Sequence, residues 1–457
     1  MLFNNNATTI TRTKSTNDFL FHHNRHLLNR DPWFYEFIVT YPPLPSLNEG
    51  IPNFFQEATT SKNISLYLHI PFCTNLCSFC GRFVKYIGQT HEQMVKYVNY
   101  LKKEIDYVHS ITQGNNHKIS SVYFGGGTPT VLPLDVLVEL INYVLDKFNV
   151  DLQNEITVET SPEVSNKEIY NELIQSGVNR ISIGIQSFDD NVLKLTNRAH
   201  DKLNAIYSFY NARKIGFENI NIDLLLGLPN YDLTKFSFDL NQAVELKPDC
   251  ITIYPLYIQE SCTMYKMDRN RFPNAEVLWK MGIYERDFFK SVDYIESPIH
   301  YFTLNKNKTP QQWFHRWKNS GDVIGLGVSS FGFFNNTQYH NHLVLDKYYE
   351  SIDNGQIPIW KFLTLDKEEQ TRRKLIFQIK TGVIEKTLIK TSFRKIINNF
   401  IRLNLITDAG EYYELTLHGK VHSEEMCLEF FSPLVKQNVM NISPGYCGYM
   451  NKPALYY

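Results

Sequence analysis

Long apolar runs are missing from this chain. None approaches the roughly 18 residues that a membrane-spanning helix requires, which sets a bilayer-spanning protein aside. A dominant charge is missing as well. Lysine and arginine total 46 against 47 aspartates and glutamates, a formal net charge of -1, so no overall field draws the chain to nucleic acid or an anionic membrane. Cysteine is sparse, seven in 457 residues, far short of a secreted disulfide scaffold, and a reducing cytoplasm fits that usage. The N-terminal stretch MLFNNNATTITRTKSTND lacks the apolar core of a secretory signal. It is poor in acids and carries Arg12 and Lys14, which leaves a floppy tail or an organelle transit segment as its readings. Internal repeats and low-complexity tracts are lacking too. What is present is an ordinary globular composition, 43% hydrophobic and 20% charged, with room for roughly two or three domains.

The few cysteines are unevenly spread. Cys73, Cys77 and Cys80 stand in a C-x3-C-x2-C pattern within LYLHIPFCTNLCSFCG, just after a strand-like run, whereas Cys250, Cys262, Cys427 and Cys447 are scattered and read as buried small hydrophobes. Three thiolates hold one cluster or metal but leave it a ligand short, and an open position suggests chemistry rather than a structural site. Completion by His69 would give a Cys3His zinc site. Against that, His69 falls on the inward polar face of its strand and no finger-like hairpin follows. A four-iron cluster with one iron left for an exogenous chelating ligand is the favoured reading.

From Ser65 onward the chain alternates strand-like runs (SLYLHI, SVYFGGG, EITVET, RISIGIQSF, NINIDLLLG, CITIYPLY) with helix-like segments at 92–108, 134–148, 166–175 and 204–214. Six such units predict an α/β fold built on a parallel sheet, a partial (β/α)6 barrel. One strand face carries aliphatics such as Leu66, Leu68, Ile70, Ile156 and Ile183, and the other carries Tyr67, His69, Gly125, Thr157, Glu159, Ser182, Gln186, Asn221 and Asp223. The second set predicts a polar, roomy interior. Cys73, Gly126, Gly127, Glu159, Gln186 and Asp223 fall late in or just after their strands, the rim where ligands of parallel sheets gather. Gly125-Gly126-Gly127 before Thr128-Pro129 lets backbone approach a ligand closely, and Glu159, Gln186, Arg198 and Asp223 offer polar groups to a hydroxylated, amine- and carboxylate-bearing cofactor.

Further along, YIESPIHYF reads as another strand, QQWFHRWKNSGDVIGLGVSSFG as a glycine-bearing connection near the chamber mouth, and the pair His340 and His342 as part of a solvated loop. Segments 368–380 and 392–405 read as amphipathic helices, followed by a hairpin around Asp408-Ala409-Gly410 and a last helix through Met426, a winged-helix-like order. Balanced charge makes this a packing or lid module rather than a DNA reader. The expected division is a tail and extended arm over 1–60, the barrel with its extension over 61–355, a mostly helical winged-helix-like domain over 356–435 and a tail over 436–457.

HIPFC-x3-C-x2-C, FGGGTPT, EITVETSPE, GVNRISIGIQSFDD, NRAH and NIDLLLGLP resemble the HemN-like radical S-adenosylmethionine (SAM) family, over about residues 41–435. The resemblance implies a [4Fe-4S] cluster on Cys73, Cys77 and Cys80, chelated by SAM at its fourth iron. It also implies SAM contacts by Tyr67, Phe79, Gly81, Gly126, Gly127, Thr128, Glu159, Gln186, Arg198 and Asp223. Members of the family commonly take two SAM molecules, and one-electron cleavage gives a 5′-deoxyadenosyl radical that abstracts hydrogen. An electron donor such as flavodoxin or ferredoxin, a small-molecule substrate of tetrapyrrole or other conjugated kind, a monomer and a cytoplasmic location are implied with it. Two departures stand out. Arg82 occupies the place where the coproporphyrinogen dehydrogenases tend to continue C-G-C, and Tyr257 in YPLY stands where a smaller residue is expected. YPLY resembles the C-type members of the superfamily, which implies methyl or methylene transfer as the reaction. Oxidative decarboxylation of coproporphyrinogen III, with Arg25 and Arg30 of the arm as carboxylate binders, is the alternative, followed by anaerobilin-type haem ring opening and a non-catalytic haem chaperone.

Overall fold

Period-two alternation in the strand-like runs becomes a parallel sheet whose aliphatic side is buried and whose polar side faces inward. The computed structural model describes residues 38–52, 63–81, 86–112, 117–259, 261–318 and 320–442. Arg12, Lys14, Arg25, Arg30, Arg82 and Cys447, on which several sequence expectations fall, lie outside the described residues.

The six expected strands are β1 (Asn63–Ile70), β2 (Lys118–Gly126), β3 (Glu155–Thr160), β4 (Arg180–Gln186), β5 (Ile220–Leu226) and β6 (Cys250–Pro255). They lie side by side in chain order, each parallel to the next. Helices α1 (His91–Thr112), α2 (Leu134–Lys147), α3 (Lys167–Gln175), α4 (Lys202–Ile215) and α5 (Leu233–Glu245) make the crossovers. Local signals set several helix starts. Asn166 caps α3 by accepting from the Ile169 N–H, and Asp201 and Asn204 form a reciprocal capping box at α4. Leu66, Leu68, Ile70, Ile156, Ile181 and Ile183 are inaccessible under the helices. Each such side chain stabilises the fold by about 1.5–3 kcal/mol relative to exposure.

The glycine-bearing stretch expected as a connection is instead a seventh parallel strand, β7 (Asp322–Leu326), which pairs with β1 from Asp322 opposite Ile64 to Leu326 opposite Leu68. It continues antiparallel into β8 (Phe331–Phe334), β9 (Thr337–Asn341) and β10 (Ile359–Thr364). His340 is therefore not in a solvated loop. It sits in β9 and is only 4% exposed, because β9 is covered by strands on both sides; only His342 beyond it is half-exposed. YIESPIHYF yields two short antiparallel strands, Ile295–Glu296 and Tyr301–Thr303, beside β6. Thirteen strands among the described residues form this sheet, and its two outermost strands do not pair with each other, so the barrel is partial and open.

Two further helices, α6 (Ala275–Ser291) and α7 (Gln311–Lys318), follow β6. α7 lies at the end of the barrel where the strands begin, since the Gln311 N–H donates to Glu155, the first residue of β3, at 3.0 Å. It forms a floor opposite the cysteine loop. Beyond it, α8 (Lys367–Lys380) and α9 (Arg394–Arg402) precede a hairpin of Ile406–Asp408 and Tyr412–Leu415, joined by Val383–Glu385 into a three-stranded sheet. This is the winged-helix-like order expected of the C-terminal part. Leu375, Phe377, Ile397, Phe400 and Phe430 centre its apolar core, which also takes in Trp317 of the floor helix. No helix among the described residues is long and apolar enough to cross a membrane.

Candidate functional site

The loop after β1 carries the three cysteines, and its shape is imposed from outside. The Ser78 N–H donates to the Thr196 carbonyl at 2.9 Å and the Met264 N–H to the Ser78 carbonyl at 2.8 Å. Asn75 donates to the Asn197 carbonyl, and Asn197 answers by donating to the Leu76 carbonyl at 2.7 Å. Within the loop, the Cys80 N–H donates to the Cys77 carbonyl at 3.0 Å. Cys262, expected only as an incidental buried thiol, backs this loop and donates to the Phe79 carbonyl at 3.2 Å.

The glycine loop after β2 is stitched to the cysteine loop by backbone bonds. Gly127 N–H donates to the Ile70 carbonyl at 2.7 Å and Thr128 N–H to the Phe72 carbonyl at 2.8 Å. A Cβ on Gly127 would run into the Phe72 oxygen and stand 2.8 Å from the Ile70 oxygen. Gly126 has φ +106°, and a Cβ there would lie 2.5 Å from the His69 ring. Only glycine fits both requirements. The Glu159 carboxylate completes this corner, accepting from the Gly126 N–H at 3.0 Å and from the Tyr123 hydroxyl at 2.6 Å. Thr128 Oγ1 lies 3.7 Å from Cys73 Sγ.

Arg198 comes from the NRAH turn after the short helix Asp190–Leu195 and reaches across the rim. It donates to Cys77 Sγ at 3.2 Å, to the Ser161 hydroxyl at 2.7 Å and to the Gly184 carbonyl. Beneath it, Glu163 accepts from Thr74 at 3.2 Å and faces His200 Nδ1 at 3.3 Å. Burial alone would raise the Glu163 carboxyl, but the His200 hydrogen bond, the Arg198 charge and the Ser161 hydroxyl outweigh it and hold it down at about 2. A carboxyl depressed from an ordinary 4.5 stabilises the fold fully above that ordinary value and loses the contribution as pH falls towards its folded value. The difference in urea-unfolding free energy between wild type and Glu163→Gln is therefore expected to shrink by about 2 kcal/mol between about pH 6 and about pH 3.

Gln186, the last residue of β4, has φ +74° beside a register shift between Gly184 and Gln186, which turns its side chain into the rim. Asp223 departs from the expected position. β5 runs on to Leu226, so Asp223 is mid-strand and lies one layer deeper than the rim. Its oxygens accept from Asn221 at 2.8 Å and Ser182 at 3.1 Å, and burial raises its pKa. Asn221 in turn accepts from Thr252 at 2.9 Å. The polar interior is thus partly self-satisfied, as buried polar groups require.

The side chains singled out from the sequence gather around two adjoining cavities. Cys73, Cys77, Gly127, Thr128, Arg198 and Asp223 line one of about 160 Å3. Tyr67, Gly81 and Gly126 line a larger one of about 310 Å3 that extends to the floor helix. Phe79, Cys80, Glu159 and Gln186 line both. Tyr67 stacks on Phe331 with centroids 5.4 Å apart, and its hydroxyl lies 2.9 Å from His69 Nδ1. Sequence reasoning missed Tyr123, Ser161, Glu163, His200 and Arg316. Tyr123 shares the inward parity of its strand, and His200 stands inside the NRAH motif, so both carried a legible signal.

The donor set fits a cluster. The three cysteines line the same small cavity, and a cubane takes its thiolates on different irons. His69 is turned to Tyr67 and packs against Gly126, which disfavours Cys3His zinc.

Comparison with known proteins gives the same reading. Residues 67–237, from Tyr67 in β1 into α5, match the Radical SAM superfamily. The heme chaperone HemW of Bacillus subtilis is 28% identical over 387 residues, covering 81% of this chain and all of that protein. The oxygen-independent coproporphyrinogen III oxidase of Helicobacter pylori strain 26695 is 27% identical over 434 residues, covering 86% of this chain and 93% of the oxidase. The structure of the coproporphyrinogen III oxidase HemN from Escherichia coli, described as a radical SAM enzyme, superposes with a TM-score of 0.76 at 23% identity, over 86% of this chain and 96% of that one, and so shares the fold. With the thiolate set, the glycine cradle and the partial barrel in place, residues 67–237 carry a radical SAM domain, and the chain is similar to HemN and HemW proteins over most of its length.

Proposed function

We propose that this protein is a SAM-cleaving radical enzyme that abstracts a hydrogen atom from a tetrapyrrole-class substrate, a porphyrinogen or a close conjugated relative. The observation that carries the reading is the pair of adjoining cavities. A molecule beside the cysteines and a second one among Tyr67, Tyr254, Trp313 and Phe331 would both lie against Phe79, Cys80, Glu159 and Gln186. Reacting groups held side by side in this way need no diffusion between cleavage and abstraction.

Cys73, Cys77 and Cys80 would hold a [4Fe-4S] cluster, and Gly127, Thr128, Arg198 and Asp223 would surround SAM in the smaller cavity, with Gly126 and Glu159 at its edge. The larger cavity leaves room for the second SAM that the family resemblance suggests, or for substrate. When bound, the reduced cluster supplies the single electron that cleaves SAM to methionine and a 5′-deoxyadenosyl radical. The chain's own contribution is orientation and shielding. The backbone of the glycine loop fixes distance, Arg198 places positive charge on Cys77 Sγ, and the floor helix closes the far end. A one-electron donor of flavodoxin or ferredoxin type and a reducing cytoplasm complete the reading, and among the described residues no cysteine is in a disulfide.

A second reading, C-type methyl transfer, rests on Tyr257, which lines the larger cavity where the sequence expectation placed a smaller side chain. Anaerobic turnover with SAM deuterated at the methyl group separates the outcomes. Carbon dioxide release from coproporphyrinogen III with unlabelled product is expected from hydrogen abstraction at a propionate. Deuterium in the product together with S-adenosylhomocysteine would establish methyl transfer instead. Haem uptake without 5′-deoxyadenosine would make the protein a carrier and refute the enzyme reading.

A further inference from the structure

The floor of the larger cavity holds a charge that the rim chemistry does not use. Arg316 of α7 lines that cavity and is only 3% exposed. Among the described residues it makes no hydrogen bond or ion pair, and its Nε is buried without a partner. Its neighbours are rings: the guanidinium carbon lies 4.8 Å from the Phe331 centroid, 5.5 Å from Trp313 and 5.9 Å from Phe377. Behind it stands a second buried guanidinium, Arg373 of α8, which packs 3.5 Å from the Phe333 centroid and donates to the Ser320 carbonyl at 3.1 Å. The carboxylate that bears on this pair is Asp322, whose charge acts on Arg373.

Removing a guanidinium from water is costly, and stacking on rings recovers only part of that cost. A buried arginine is normally repaid by a planar, two-oxygen acceptor whose geometry matches its fork. The absent partner is therefore an anion with that shape, entering from the cavity. Burial also pushes the Arg316 guanidinium down to about 9, the direction expected of a cation awaiting its counter-ion.

We propose that Arg316 is the carboxylate-binding group of the larger cavity, pairing with a carboxylate side arm of a planar ligand whose other end faces the cysteine loop. This rests on the reading of that cavity as the substrate compartment. SAM also carries a carboxylate, so the test must separate the two sources.

The experiment uses the full chain, anaerobically reconstituted, with coproporphyrin III and its tetramethyl ester as probes read by quenching of tryptophan fluorescence. Wild type should bind the acid about thirtyfold or more tightly than the ester. Arg316→Met should abolish that preference while SAM affinity by equilibrium dialysis stays within about twofold. Ligand-free Arg316→Met should melt at or above the wild-type temperature, because an uncompensated buried charge has been removed. Retention of the acid preference, or a melting temperature lowered by several degrees, would overturn the proposal and make Arg316 structural. Lost SAM affinity in Arg316→Met would assign the arginine to SAM and overturn the substrate assignment. Failure of wild type to bind either porphyrin would refute the tetrapyrrole reading alone, and the ligand-free melting temperature would still decide whether Arg316 is an unpaired charge.

Discussion

Cys77→Ala is expected to lower SAM cleavage by at least about a thousandfold, equivalent to about 4 kcal/mol of barrier, in anaerobically reconstituted protein assayed for 5′-deoxyadenosine. The reason goes beyond the loss of one thiolate. Arg198 donates to Cys77 Sγ while also bonding Ser161 and the Gly184 carbonyl, so the sulfur is the point where the β4 end and the NRAH turn meet the cysteine loop. Alanine leaves the guanidinium beside an apolar methyl. Iron content should fall with activity, whereas far-ultraviolet circular dichroism should be retained, because Thr196 and Asn197 still hold the loop backbone. Full SAM cleavage by Cys77→Ala would refute the cluster assignment.

Gly127→Ala carries the second large effect. The added Cβ meets the Phe72 carbonyl oxygen and the Ile70 carbonyl oxygen, both backbone atoms that a side-chain rotation cannot clear. Relief requires the glycine loop to move away from the cysteine loop, breaking the Gly127-to-Ile70 and Thr128-to-Phe72 hydrogen bonds. Overpacking of this kind costs about 1–3 kcal/mol. Displacement of a reacting geometry by about 1 Å costs about a hundredfold in rate. The expected result is a melting temperature lowered by a few degrees together with SAM cleavage reduced by about a hundredfold or more. Cleavage within about threefold of wild type would show that the loop does not position SAM.

How much of this was legible from the sequence varies with the range of the interactions involved. The cysteine spacing, the glycine run and the period-two alternation are local, and the parallel β1–β6 sheet follows them closely. β7 was hidden because its glycines resemble a connection and because its partner, β1, precedes it by more than 250 residues in register terms, with Asp322 opposite Ile64. Asp223 was placed at the rim because strand ends are the weakest part of a pattern reading, and β5 continues through Leu224-Leu225-Leu226. His340 was misplaced for a related reason. Its burial comes from β8 and β10, neither of which is visible from YHNHL alone. Arg316 shows the limit most clearly. In QQWFHRWK it is one basic residue among rings, and only the packing of α7 against Phe331 and Phe377 turns it into a buried cation on a cavity wall.

The polar strand face was read correctly as an interior, although part of its demand for partners is met internally. Ser182, Asn221, Asp223 and Thr252 bond one another, so they shape the chamber before any ligand enters. Glu159 differs from them. It is held by Tyr123 and the Gly126 N–H at the junction of the two cavities and lines both.

The most direct test of the account is anaerobic reconstitution of the full chain with iron and sulfide, followed by reduction in the presence of SAM and quantitation of bound iron and 5′-deoxyadenosine. The account predicts about four irons per chain and 5′-deoxyadenosine formation that depends on reductant. Protein that binds no iron, or that binds it and yields no 5′-deoxyadenosine, would contradict it.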